Sequence, residues 1–129
     1  MNVSESQLLY LVTILQLKKQ KKIVQHIDIA IALGYSKPSV THAVQQLGKH
    51  GYLIIHDRSI SLSETGFQIA NQAADRYEQI YQLLCTYGFP AFEAGIYAKK
   101  LIHVMDDEFI WKLAAFHQEQ AAKKLTSSK

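Results

Sequence analysis

Leu8, Leu11, Val12 and Leu15 recur at intervals of three and four, a spacing that predicts a first helix over residues 5–18, ended by the polar run "KKQKK". "QHIDIAIALG" gives a short second helix that turns Ile27, Ile29, Ala30 and Leu33 toward a core, with Gly34 as a left-handed stop. In "YSKPSVTHAVQQLGKHG", Ser36 caps a third helix and Pro38 falls in its first turn, where a missing N–H costs little. Val40, Ala43, Val44 and Leu47 form its inward stripe, and Gly51 ends it. Two short helices across a tight glycine-containing turn make a helix-turn-helix.

"YLIIHDRSISL" places two short β-branched runs around Asp57-Arg58, the pattern of a hairpin. Ser63 caps a long fourth helix whose inward positions are Phe67, Ala70, Ala74, Tyr77, Tyr81 and Leu84, broken by Gly88 and Pro90. A fifth helix follows with Ala94, Ala98, Leu101, Ile102 and Met105 on its apolar side. Asp106 caps a sixth, with Asp107 and Glu108 in its first turn and Ile110, Leu113, Ala114 and His117 lining it. The fold class is therefore mostly α with a small β-hairpin: a winged helix-turn-helix over residues 1–64 and a helical region over 65–122. "KKLTSSK", residues 123–129, reads as a frayed, flexible tail.

The 129 residues leave room for one compact domain, or for a small domain with a helical appendage, and the 48% hydrophobic share is enough for a core. No apolar run reaches the roughly 20 residues of a membrane span, and "MNVSESQ" lacks the basic start and apolar stretch of a secretory signal. A cytoplasmic location without membrane association is the expectation. The one cysteine, Cys85 in "YQLLCTY", reads as a buried structural thiol.

Charge changes the picture more. Residues 1–62 hold seven Lys/Arg against three acids, whereas the remainder holds seven against eight. A basic front half beside a near-neutral back half suits a polyanionic partner. On the outward face of the third helix stand Lys37, Ser39, Thr41, His42, Gln45, Gln46 and Lys49, beside the cap Ser36. Hydroxyl and amide groups flanked by cations are what reading base edges and holding phosphates in a major groove of double-stranded DNA requires. Gln45 suits an adenine edge; Lys37 and Lys49 suit phosphate. Arg58 at the hairpin tip is placed for the backbone or minor groove. Lys18, Lys19, Lys21 and Lys22 form a second cationic group, which serves either as phosphate contacts or as a solvated helix end.

"DIAIALGYSKPSVTHAVQQLGKHGYL" followed by "SLSETG" resembles the DNA-binding half of the diphtheria toxin repressor family, the metal-dependent bacterial regulators that include the manganese transport regulator. The resemblance extends over residues 5 to about 118. It implies a transcriptional repressor, iron- or manganese-regulator-like, that forms a homodimer through the helices after the wing and binds a palindromic operator. It also implies a divalent metal. The family's ligand positions fall on Gln7 and Tyr10 in the first helix, Tyr77 after Arg76 in the fourth, and Lys99, Ile102 and His103 in the fifth. Only His103 keeps a ligating residue type, and a cation at Lys99 and an apolar side chain at Ile102 oppose a metal. The expectation is DNA binding without a cofactor, with His103 a packed or hydrogen-bonded histidine. Divalent manganese or iron at a rebuilt site, for instance with Glu93 or Asp106 joining His103, is the alternative.

Other functions are weighed on the same residues. The six histidines form no HExxH pair, and there is no glycine-rich phosphate loop, nucleophile elbow or cysteine metal pair, so an enzyme is not expected. "LSETG" and the helix-turn-helix pattern also occur in multiple-antibiotic-resistance regulators. Tyr77, Tyr81, Tyr87, Phe89, Phe92 and Tyr97 then become either core or the lining of a pocket for a small-molecule effector. A winged helix used as a protein-interaction module is the third reading.

Overall fold

The computed structural model describes residues 3–127 and places them in six helices and one hairpin. The chain divides into two compact units, residues 1–73 and 74–129, with the division falling inside the fourth helix.

The first unit contains α1 (Glu5–Gln20), α2 (His26–Leu33), α3 (Lys37–Lys49), β1 (Leu53–His56), β2 (Ser59–Leu62) and the start of α4 (Glu64–Thr86). α1 begins in a reciprocal cap: the Ser4 hydroxyl accepts from the Gln7 N–H at 3.1 Å, and the Gln7 side-chain oxygen accepts from the Ser4 N–H at 3.0 Å. α2 ends at Gly34, whose φ of 70° reverses the chain, while the N–H groups of Gly34 and Tyr35 both donate to the Ala30 carbonyl. Ser36 then caps α3, accepting from the Ser39 N–H at 3.3 Å. Leu11, Ile14, Val24, Ile29, Val40, Val44, Leu47 and Ile60 are fully buried and form the core that sets the α2–α3 angle. Ile27 departs from expectation: at 39% exposed it lies outside the core, because a helix of two turns has room for only one buried edge, here Ile29 and Ala30.

β1 and β2 pair antiparallel in the register Leu53↔Leu62 to His56↔Ser59, so the turn is the two residues Asp57 and Arg58. Asp57 takes a φ of 54°, a region aspartate enters more readily than most side chains. The Ile60 N–H donates to the Val24 carbonyl at 2.8 Å and ties the hairpin to the segment between α1 and α2.

"SETG" acquires a physical meaning at the start of α4. The Ser63 N–H donates to the Tyr52 carbonyl at 3.0 Å, its hydroxyl donates to the Gly51 carbonyl at 2.6 Å, and the same hydroxyl accepts from the Gly66 N–H at 3.1 Å. Gly66 is buried so close to the wing root that a Cβ there would lie 2.1 Å from the Tyr52 oxygen. Phe67, read as inward, is instead 48% exposed, and Ala70 and Ala73 carry the buried side of this stretch.

The second unit holds the rest of α4, α5 (Ala91–Leu101) and α6 (Asp107–Ser127). Ile80, Ala94, Ala98, Ile102 and Ile110 are its buried apolar positions. Asp106 caps α6 by accepting from the Phe109 N–H at 2.7 Å, and Asp107 accepts from Arg76 Nε at 2.6 Å. Arg76 is only 9% exposed, so this pair fastens the start of α6 to α4. The guanidinium hydrogen bond holds the Asp107 carboxyl below the usual carboxylate range. α5 stops at Leu101, which leaves Met105 outside the helix that the apolar pattern had assigned it to. Where a frayed tail over 123–129 was expected, α6 continues as helix to Ser127; residues 128 and 129 lie outside the described residues. Cys85 is half-buried.

Candidate nucleic-acid interface

α3 is an amphipathic helix with its chemistry divided cleanly. Val40, Val44 and Leu47 are at most 1% exposed. With 3.6 residues per turn, the line opposite them runs through Pro38, His42, Gln45 and Lys49, with Thr41 beside it and Lys37 and Ser39 at its margins. Lys37, Ser39, Thr41, His42, Gln45 and Lys49 are all exposed. Gln46, read as outward, is half-buried at the edge of the face.

Two members of the predicted set are occupied within the helix itself. The Ser36 hydroxyl, besides capping, donates to the Ser39 hydroxyl at 2.8 Å, so both act first as structure at the helix start. The α3 sequence KPSVTHAVQQLGK contains no acid, and its N-terminus, carrying the positive end of the helix dipole, has Lys37 in its first turn. A helix of 13 residues is about 20 Å long by the standard rise, enough to lie along a groove of about 12 Å width.

The wing extends the same electrostatics. Arg58 at its tip is exposed and makes no ion pair among the described residues, while His56 stands 3.8 Å from Asp57 with both side chains in solvent. Gly48 of α3 faces β1: a Cβ there would meet Ile55 Cδ1 at 3.1 Å, so the missing side chain lets the hairpin close on the helix. His56 and Gly48 were not singled out for the interface by sequence reasoning. Gly48 carries no local signal, whereas His56 sits one residue before a recognisable turn.

The lysine run is partly spent on structure. Lys21 pairs with Asp28, and Lys18 Nζ donates to the Lys22 carbonyl at 3.1 Å. Lys19 and Lys22 remain exposed without a side-chain partner among the described residues. The Lys21 hydrogen bond, helped by the Gln25 N–H, holds Asp28 below the ordinary carboxylate range.

The six positions implied as metal ligands are placed as follows. In the first unit, the Gln7 side chain is engaged in the α1 cap. Tyr10 is buried with its ring 6.1 Å from Tyr35, and desolvation followed by Tyr35 raises its phenol above the usual range. In the second unit, Tyr77 stacks on Tyr81 at 5.9 Å, Lys99 is exposed on α5, and Ile102 is buried at the α5 C-cap. His103, expected to be packed or hydrogen-bonded, lies past the end of the helix and is exposed. Among the described residues no group of three or more His, Cys, Asp or Glu side chains converges to hold a metal. A donor set of one amide, two phenols, one ammonium, one alkyl chain and one imidazole does not fit a divalent cation, which needs several converging anionic or imidazole donors.

Among the described residues no helix is long and apolar enough to cross a membrane.

Comparison with known proteins gives one family match and several structural likenesses. Residues 2–59 match the family described as "Iron dependent repressor, N-terminal DNA binding domain". Comparison with curated proteins gave no match. Among solved structures, a hypothetical protein of Sulfolobus solfataricus is similar at 22% identity over 91% of both chains, with a TM-score of 0.71. The manganese regulator SloR is similar at 22% identity over 87% of this chain and 53% of its own, with a TM-score of 0.73. A manganese-dependent transcriptional repressor, solved in complex with manganese, is similar at 20% identity over 84% of this chain and 51% of its own, with a TM-score of 0.76. These likenesses establish the fold. The chain spans about half the length of the two metal-named regulators.

Proposed function

We propose that the chain, whose residues 2–59 are similar to the iron dependent repressor N-terminal DNA-binding domain, is a DNA-binding transcriptional regulator that acts as a homodimer on a palindromic operator without requiring a metal. The observation that carries this reading is the outward face of α3. It has no acid and is set opposite a fully buried stripe, beside a wing whose Arg58 is unpaired among the described residues.

In the proposed mode α3 enters the major groove. His42 and Gln45 face base edges; Lys37 and Lys49 hold phosphates on either side; Arg58 reaches the flanking backbone or minor groove. Ser36 and Ser39 contribute through the α3 cap and the N–H groups it orients toward phosphate. The homodimer is supported by apolar area that the second unit leaves in solvent, including Phe109 at 53%, Trp111 at 70% and Phe116 at 56% exposed on α6. Two recognition helices related by a two-fold axis then read an inverted repeat. Independence from metal is supported by the donor set at Gln7, Tyr10, Tyr77, Lys99, Ile102 and His103, of which only the imidazole is a customary ligand.

Selection of random duplex DNA by the full chain tests the proposal. An inverted repeat should be recovered, and Gln45→Ala should relax preference at one position in each half-site. Recovery of no common sequence by the folded wild-type chain would reject sequence-specific binding.

A further inference from the structure

The second unit contains a groove of about 560 Å³ between α4 and α5, lined by Tyr77, Glu78, Tyr81, Phe92, Ile96 and Lys99, with Ala91 and Gly95 in its wall. Tyr77 and Tyr81, one turn apart on α4, lie nearly parallel, with ring centres 5.9 Å apart and planes 16° from one another. Phe92 and Ile96 face them from α5, 80% and 41% exposed. At Gly95 a Cβ would stand 3.2 Å from the Tyr77 hydroxyl oxygen, so the glycine is where the two helices come close. Lys99 follows Gly95 by one helical turn, which puts a cation about 5 Å further along the groove from the aromatic end.

Charge selects the occupant. Lys99 makes no ion pair with any described residue. Glu78, the other charged lining residue, has its carboxylate turned along α4, accepting from Gln82 Nε2 at 2.8 Å. An apolar slot edged by aromatic rings, with a lysine ammonium that forms no ion pair among the described residues, suits a molecule that is planar and aromatic at one end and anionic at the other. We infer that the groove between α4 and α5 binds a planar aromatic monocarboxylate, its ring against Tyr77, Tyr81 and Phe92 and its carboxylate on Lys99. The inference stands apart from the operator proposal, since binding is read with no DNA present.

The test titrates the full chain with 2-naphthoate and with the uncharged 2-naphthamide by calorimetry, and records the oligomeric state at each end point. The expected result is saturable naphthoate binding, with the amide weaker by about tenfold or more, as loss of a charge-assisted contact implies. Lys99→Met should weaken naphthoate to the level of the amide, while Lys100→Met, next on α5 but outside the groove, should not. Phe92→Ser should weaken acid and amide alike. Equal affinity for acid and amide, no effect of Lys99→Met, or no saturable naphthoate binding would overturn the inference. So would binding that appears only as a dimer dissociates, since a second copy would then be the groove's occupant.

Discussion

Gly66→Ala isolates the contact that sets the wing. The added Cβ would stand 2.1 Å from the Tyr52 carbonyl oxygen, 3.0 Å from its carbon and 3.3 Å from its Cα, all of them backbone atoms. Carbon-to-oxygen contacts settle near 3.3 to 3.6 Å, so α4 and the wing root must part by roughly 1 Å. That separation strains the Ser63 N–H bond to Tyr52, the Ser63 hydroxyl bond to Gly51 and the capping bond from Gly66. Overpacking costs about 1–3 kcal/mol and a lost cap about 1. Alanine's better helix propensity returns about 1, so the net destabilisation should be about 1–3 kcal/mol, a sizeable part of a typical total of about 5–15. Gly48→Ala is the internal control, because its Cβ meets only the flexible end of Ile55 at 3.1 Å. Urea unfolding followed by circular dichroism measures both; Gly48→Ala should shift the midpoint by the equivalent of under about 1 kcal/mol. A Gly66→Ala protein as stable as wild type, or equal to the Gly48→Ala control, would refute the reasoning.

The other predictions concern acid stability, salt and the histidine. Asp28 and Asp107 both have folded-state pKa values below the ordinary carboxylate range, the first through Lys21 and the second through Arg76. The stability they contribute is therefore fully present above an unfolded pKa of about 3.9 and lost as pH falls through their lower folded values. Asp107→Asn should lower the melting temperature at pH 7 and flatten its fall in acid, measured by thermal scans from pH 7 downward; an unchanged acid limb would contradict the assignment. Lys49→Ala and Arg58→Ala should each reduce the slope of log affinity against log salt by about 1 on any duplex, whereas Lys100→Ala should leave it unchanged; equal slopes for all would remove α3 and the wing from the interface. His103→Ala should bind DNA in a chelator as wild type does, and a large loss there would give the imidazole a role its exposed position does not suggest.

Much of this fold is written in short-range spacing. The α3 stripe of Val40, Val44 and Leu47, the Ser36 cap, the Gly34 reversal and the Asp57-Arg58 turn are local rules, and each element appears where those rules put it. What the spacing does not contain is which face meets a partner distant in sequence. Ile27 and Phe67 fit an apolar period yet lie in solvent, because α2 is two turns long and α4 buries small alanines instead. The importance of Gly66 depends on the Tyr52 carbonyl fourteen residues earlier, and no local pattern reports that contact. His103 was expected to be a packed or hydrogen-bonded histidine of a buried helix, but α5 ends at Leu101 and the imidazole is exposed. At the α3 face, residue types could be read from the sequence. The diversion of Ser36 and Ser39 into the cap, and of Lys18 and Lys21 into local bonds, required coordinates.

The claim that matters most is sequence-specific DNA binding without a metal. Its most direct measurement is the affinity of the full chain for its selected duplex, by fluorescence anisotropy, first in excess chelator and then after manganese or iron is supplied. The account predicts one affinity in both conditions, within about twofold. Tight binding that appears only when the metal is added would contradict it.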